Sequence, residues 1–185
     1  MKKTSSTPLI ILGLLNHEPM TGYEIRQRVE QTIKFFWDIG YGQIYPELKK
    51  LHKEEAVIFS METNSTGARK KRYCITDKGK LRLQEWLAEP PSEERLRMEL
   101  LVKLFLGSSL GKQKTTTMLS DYRERCLEKL SLLKLFEQSL LEAAGESEDH
   151  LHFLTAVRYG IKFYETGLNW AGESIRIIEK GDPRD

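Results

Sequence analysis

Four consecutive cations, Arg69-Lys70-Lys71-Arg72, and a second set made of Gln43, Lys49 and Lys50 are the side chains of this sequence best suited to a chemical task. Guanidinium and ammonium groups neutralise phosphates, and an amide or a cation can also read base edges. The chemistry they suit is contact with a nucleic acid. Taken alone, the basic run has a plainer use, because charge on a hairpin edge discourages strand-to-strand aggregation. Its meaning depends on the elements that carry it.

Other chemistries lack their residues. The sequence holds no nucleophile elbow, no phosphate-cradling glycine loop and no dinucleotide fingerprint, so no enzyme activity is expected. His150 and His152, preceded by Glu148 and Asp149, form the one metal-like cluster. Their alternating spacing at a helix start does not converge the side chains, since helical neighbours lie three or four apart. Neither a metal nor a cofactor is expected. Cys74 and Cys126 are far apart and lack a metal-type spacing, which argues against a disulfide framework and fits a reducing cytoplasm. The apolar run Leu9–Leu15 behind Lys2 and Lys3 imitates a signal peptide, but it continues into Asn16-His17-Glu18-Pro19 without a small-residue cleavage site. No apolar run approaches the roughly 20 residues needed to cross a bilayer, and no membrane partner is expected.

The elements that would position the cations follow from spacing and punctuation. Thr7 and Pro8 are expected as N-cap and first position of a helix reaching about Asn16. Thr21-Gly22-Tyr23-Glu24 is a capping box opening a second helix that runs to about Lys34. Phe35-Phe36-Trp37-Asp38-Ile39-Gly40 is read as an aromatic connection that fills the core. A third helix is expected from Gln43 to about Glu55, with Pro46 in its first turn. Ile44, Leu48 and Leu51, four and three apart, form its buried stripe and leave Gln43, Tyr45, Glu47, Lys49 and Lys50 on more exposed faces. Val57–Thr63 and Arg69–Ile75 read as strands around the turn Asn64-Ser65-Thr66-Gly67. Thr76 caps a fourth helix reaching about Glu89, and Pro90-Pro91 is the expected domain boundary.

Residues 91–185 read as helix throughout. Ser92 is expected to cap a helix ending near Gly107, with Glu93 and Glu94 in its first turn. A long helix covers Lys112 to about Ala144, ended by Gly145, and Ser147, Glu148 and Asp149 open the last one. The fold class is therefore mainly α with a small β-hairpin: a winged helix-turn-helix over residues 1–90 and an all-helical dimerisation domain over residues 91–185. Residues 1–90 carry 15 Lys/Arg against 11 Asp/Glu, and residues 91–185 carry 14 against 16. A polyanionic partner is expected to meet the front half. With its apolar stripe turned inward, the third helix can offer its outer side to a major groove, and the basic hairpin can reach the backbone or minor groove.

Several stretches carry a family resemblance. Leu9-Ile10-Ile11-Leu12-Gly13-Leu14-Leu15, Thr21-Gly22-Tyr23-Glu24-Ile25 and Gly42-Gln43-Ile44-Tyr45-Pro46-Glu47-Leu48-Lys49-Lys50-Leu51 resemble the PadR family of transcriptional regulators. Tyr73-Cys74-Ile75-Thr76-Asp77-Lys78-Gly79 matches that family's wing-to-helix joint, although Cys74 stands where a polar or basic residue is commoner. The similarity covers roughly residues 8–90, and residues 92–180 resemble the long helical C-terminal domain of the larger PadR-like subgroup. The resemblance implies a homodimer, usually a repressor, that binds an inverted-repeat operator in double-stranded DNA and releases it when an effector or signal arrives. It implies backbone contact by Tyr23 and a recognition surface at Gln43, Tyr45, Pro46, Lys49 and Lys50. Some relatives bind planar aromatic compounds, which keeps Trp86 in view.

In the last helix Val157, Ile161, Tyr164, Leu168, Ala171, Ile175 and Ile178 follow steps of four and three, a coiled-coil seam. Such a helix must bury that face. Part of it is expected against the long helix and the rest between two protomers, with half-sites about one turn of DNA apart or a multiple of it. Trp86 and Trp170, with Phe35, Phe36 and Trp37, are candidates to line a cavity for a small aromatic effector, and they are equally candidates for plain core. The competing function is a winged-helix protein–protein adaptor that does not act on DNA, which a weak salt dependence of nucleic-acid binding would favour.

Overall fold

The computed structural model describes residues 6–37, 39–63, 67–93, 96–142 and 149–181. The chain divides into two units, Met1–Glu93 and Glu94–Asp185. In the first, helix α1 (Thr7–His17) starts with Ser6 at its N-cap, one residue before the expected Thr7. The Ser6 carbonyl already accepts from the Ile10 N–H, at 3.0 Å, and so draws Thr7 into the helix. Strand β1 (Met20–Thr21) follows, then α2 (Gly22–Arg28), whose capping box is complete.

Helix α2 ends in a π-helical turn, Val29–Ile33, in which the Lys34 N–H reaches back to the Val29 carbonyl. The wider turn rotates the residues after it. Phe36 and Trp37 come out exposed and Phe35 half-buried, so the aromatic connection does not fill the core as expected; Ile39 does.

Helix α3 (Tyr41–Lys53) begins two residues earlier than the spacing predicts, because the Gly40 carbonyl accepts from the Gln43 N–H at 2.8 Å. Pro46 is therefore in the second turn, not the first, and the helix forgoes one hydrogen bond there. Complete burial of Ile44, Leu48 and Leu51 offsets that loss, each such side chain contributing about 1.5–3 kcal/mol. Glu55, at φ 59°, takes the left-handed conformation that ends α3.

Strands β2 (Val57–Thr63) and β3 (Arg69–Ile75) pair antiparallel from Val57 opposite Ile75 to Thr63 opposite Arg69. The turn residues Asn64, Ser65 and Thr66 lie outside the described residues. The hairpin is extended to three strands in the order β1-β3-β2, with Met20 opposite Tyr73 and Thr21 opposite Arg72. Helix α4 (Asp77–Ala88) is capped by Thr76, whose hydroxyl accepts from the Gly79 N–H. The core joins Ile11, Leu12 and Leu15 of α1, Ile25 of α2, the α3 stripe, Val57 and Leu83.

The second unit contains α5 (Glu99–Leu106), α6 (Lys112–Glu142) and α7 (Asp149–Lys180). Helix α5 starts after Met98, so Ser92 caps nothing. A cap adds only about 1 kcal/mol, too little by itself to offset the cost of starting a helix. Glu94, and Ala144 to Glu148 with the expected helix end and start, lie outside the described residues. Helices α6 and α7 are antiparallel neighbours: Gly160 faces Leu133, Gly167 faces Tyr122 and Cys126, and Arg158 pairs with Glu137. Among the described residues no helix is long and apolar enough to cross a membrane.

Candidate nucleic-acid interface

Helix α3 presents one face inward and one outward. With Ile44, Leu48 and Leu51 buried, Gln43, Tyr45, Pro46, Lys49 and Lys50 all lie exposed on the other side. Gln43 is steadied by the Thr7 hydroxyl, which donates to its amide oxygen at 3.4 Å. No hydrogen bond among the described residues uses its NH2 donors. Glu47, on the same helix, is half-buried, and its Oε2 has no hydrogen-bond partner among the described residues. No ion pair among the described residues engages Lys49 or Lys50.

Two tyrosines border this face. Tyr23, in the first turn of α2, is 54% exposed, and its hydroxyl accepts from Gln27 Nε2 at 3.2 Å. Tyr45 is 58% exposed, and its ring covers Gly22. Behind it, burial pushes the Tyr73 hydroxyl above its usual pKa, and the nearby Tyr45 adds to the shift.

The four wing cations are not equivalent. No ion pair among the described residues engages the exposed Arg69 or Lys70 near the hairpin tip. Lys71 Nζ sits 4.1 Å from the centre of the Phe59 ring, a cation–π contact. Arg72 is committed on three sides: Nε donates to Glu62 Oε2 at 2.7 Å, Nη1 to the Pro19 carbonyl at 2.7 Å and Nη2 to Glu24 Oε1 at 3.3 Å. Glu24 also closes the capping box by accepting from the Thr21 N–H at 2.7 Å. That backbone bond holds the Glu24 carboxyl below the usual carboxylate range; burial opposes it, and Arg72 reinforces it. Sequence reading placed the charge of Arg72 but not its partners, one of which is 48 residues away. It also missed strand β1.

The remaining candidates lie in the helical unit, apart from Trp86. Trp86 packs half-buried against the winged-helix core. Trp170 meets Tyr122 edge-on, with ring centres 5.8 Å apart, at the side of an open cleft of about 520 Å³ lined also by Leu101, Lys162, Phe163 and Thr166. The seam of α7 turns toward α6. Val157, Ile161 and Ala171 are buried, and Tyr164, Leu168, Ile175 and Ile178 are partly covered, within one protomer. The apolar side chains left exposed are elsewhere. They include Leu101, Val102, Phe105 and Leu106 of α5, none of whose residues is buried.

A helix with an exposed cation-bearing face, an adjoining wing and a separate helical unit are the architecture of a winged-helix transcriptional regulator. Residues 11–85 match the transcriptional regulator PadR-like family, and residues 96–179 match a second family described as virulence activator alpha C-term. The negative transcriptional regulator PadR of Bacillus subtilis is 30% identical over 175 residues, covering 92% of this chain and 96% of the relative. The chain belongs to the PadR-like family of transcriptional regulators. The fold is similar to that of Bacillus subtilis PadR in complex with operator DNA (TM-score 0.82, 29% identity), covering 95% of this chain and 99% of the other. It is also similar to the same regulator in complex with p-coumaric acid (TM-score 0.73, 28% identity), with the same coverage of both chains.

Proposed function

We propose that this chain is a homodimeric repressor that binds inverted-repeat operator DNA in the cytoplasm and lets go when a small aromatic effector binds. The observation that carries this reading is the outer face of α3: Gln43, Tyr45, Pro46, Lys49 and Lys50 are exposed together on a helix whose other face is locked into the core. Such a face supplies donors to base edges and charge to phosphates. Tyr23, Arg69 and Lys70 extend it to the flanking backbone. The operator-bound neighbour and the negative regulator to which the chain is similar support the assignment.

The dimer contact is proposed to lie on α5 and on the outer faces of α6 and α7. The seam Val157, Ile161, Tyr164, Leu168, Ala171, Ile175 and Ile178 then braces α7 against α6, and through that contact shapes the surface offered to the partner. For the effector, the cleft beside Trp170 offers a flat ring to stack on, the Tyr122 and Thr166 hydroxyls, and the Lys162 ammonium for an acid group. Trp86, packed against the winged-helix core, is less suited to hold a ligand.

The reading is tested by fluorescence anisotropy on DNA from upstream of the protein's own coding region, across a salt series. Replacing Lys49 and Lys50 with Ala is expected to weaken binding and to lower the slope of log K against log salt by about 0.9 for each phosphate no longer neutralised. Dimer mass and helicity should not change. Unchanged affinity would place the interface on another surface.

A further inference from the structure

Arg72 sits at the one place where the wing, strand β1 and the start of α2 meet, and it bonds to all of them. Its guanidinium donates to Glu62 on β2, to the Pro19 carbonyl just before β1, and to Glu24 in the first turn of α2. Its backbone lies opposite Thr21 in the sheet, and Thr21 shares the capping box with Glu24. The side chain is about two-thirds covered. Arg69, Lys70 and Lys71, by contrast, are exposed. A planar fork with five donors can hold three acceptors in fixed directions, which a lysine cannot do.

We infer that Arg72 is a positioning residue: it fixes the angle of the wing against the helix-turn-helix and does not itself contact phosphate. This rests on the operator-binding reading and adds a division of labour within the basic run. Arg69 and Lys70 neutralise the duplex, whereas Arg72 sets where they stand. The two neighbouring carboxylates, Glu62 and Glu24, are then part of the DNA-binding device despite their negative charge.

That last consequence makes the inference testable by sign. Removing a carboxylate from a surface that meets DNA should tighten binding if only charge matters. If Glu62 holds the arginine that orients the wing, its removal should loosen binding instead. In the full-length chain, Glu62→Thr keeps a residue that favours strands. It is expected to weaken duplex binding roughly fivefold or more, as loss of a charge-assisted tie does. Arg72→Lys, which preserves the charge, is expected to do the same. In both variants the salt slope should stay at the wild-type value, whereas Lys70→Ala should lower it by about 0.9.

Hydrogen exchange on the free protein provides a readout that needs no DNA. The amides of residues 20–24 and 70–73 should exchange faster in both variants, while those of α1 and α3 do not. Tighter binding by Glu62→Thr, wild-type affinity in Arg72→Lys, or unchanged exchange in the β1 and wing amides overturns the inference and leaves the operator reading standing. A wild-type chain that binds no duplex at any salt overturns the operator reading, and with it any part played by this tie in binding.

Discussion

The ring of Tyr45 on α3 closes over Gly22 at the start of α2, so tightly that a Cβ on Gly22 would stand 2.6 Å from Tyr45 Cε1. The close approach couples the first residue of one helix to an exposed residue of the recognition helix. Because Tyr45 is a side chain with open solvent beside it, a Gly22→Ala variant can relieve the clash by swinging the ring outward. Alanine also suits a helix better than glycine, by about 1 kcal/mol. The fold is therefore expected to survive with stability changed by no more than about 1 kcal/mol, while the displaced Tyr45 lowers duplex affinity severalfold. In a Tyr45→Ala background the Gly22→Ala change should have no further effect. A full additional loss there would mean that the glycine acts by another route.

Gly79 gives the opposite outcome. A Cβ there would lie 2.2 Å from the carbonyl oxygen of Ala56 and 2.8 Å from Cγ1 of Ile75. The obstacle is backbone, and that carbonyl also accepts the Thr76 N–H at 3.1 Å. Nothing can swing aside without opening the joint between the wing and α4. Gly79→Ala is expected to cost about 2–3 kcal/mol, the upper range for overpacking. A shift in denaturant midpoint at constant m-value would show it.

The contrast between these glycines marks what the sequence could and could not reveal. Ile44, Leu48 and Leu51 disclosed the buried face of α3, because the period of a helix is written in its own residues. The same holds for both strands of the wing, whose bounds match the alternation. A two-residue strand such as Met20–Thr21 has no period to read; it exists because β3 offers a free edge. Ser92 looked like a cap because capping is a local pattern, but a cap by itself contributes too little to start a helix, and α5 begins only after Met98. The α7 seam showed which face must be buried and that part of it meets the long helix, but not how the burial divides. Within one protomer the seam turns toward α6, with Val157, Ile161 and Ala171 buried and the other four residues partly covered; the protomer contact proposed on α5 falls on residues such as Phe105, which carry no long-range pattern. Arg72 was visible as charge, but its acceptors are distant in sequence and only the fold brings them together.

Tyr122 should give the helical unit a distinctive alkaline limit. Burial, with a contribution from the adjoining Cys126 thiol, pushes its hydroxyl up to about 12; burial also raises Tyr164. In an unfolded chain a tyrosine ionises near 10 (about 10 in model peptides). A raised folded value means that the neutral form is favoured by the fold. The stability it represents is whole below about pH 10 and drains away as pH climbs toward about 12. Thermal melts of the full chain should therefore fall steeply in that window, and Tyr122→Phe should flatten the fall. Absorbance at the tyrosinate band should show Tyr73, Tyr122 and Tyr164 titrating late, Tyr122 latest. If Tyr122→Phe keeps the full alkaline slope, another group sets the limit.

The proposed dimer contact can be separated from the stability of the protomer, because on that proposal different residues carry the two. Phe105 is 89% exposed and Leu106 70%, on a helix with no buried residue. Solvating an isolated row of this kind is costly, and covering it with a second copy recovers about 25 cal/mol for each Å² of apolar surface removed from water. Phe105→Glu together with Leu106→Glu removes that gain and places like charges where the two copies would meet. The expected result in sedimentation is a monomer with undiminished helicity, and operator affinity should drop by tenfold or more as the two half-sites lose their coupling (about 1.4 kcal/mol per tenfold). Ile161→Glu, which buries a charge between α6 and α7, should instead unfold the helical unit. The two variants must differ in this way. If the α5 variant stays dimeric while Ile161→Glu dissociates into folded monomers, the contact between protomers runs along the α7 seam after all.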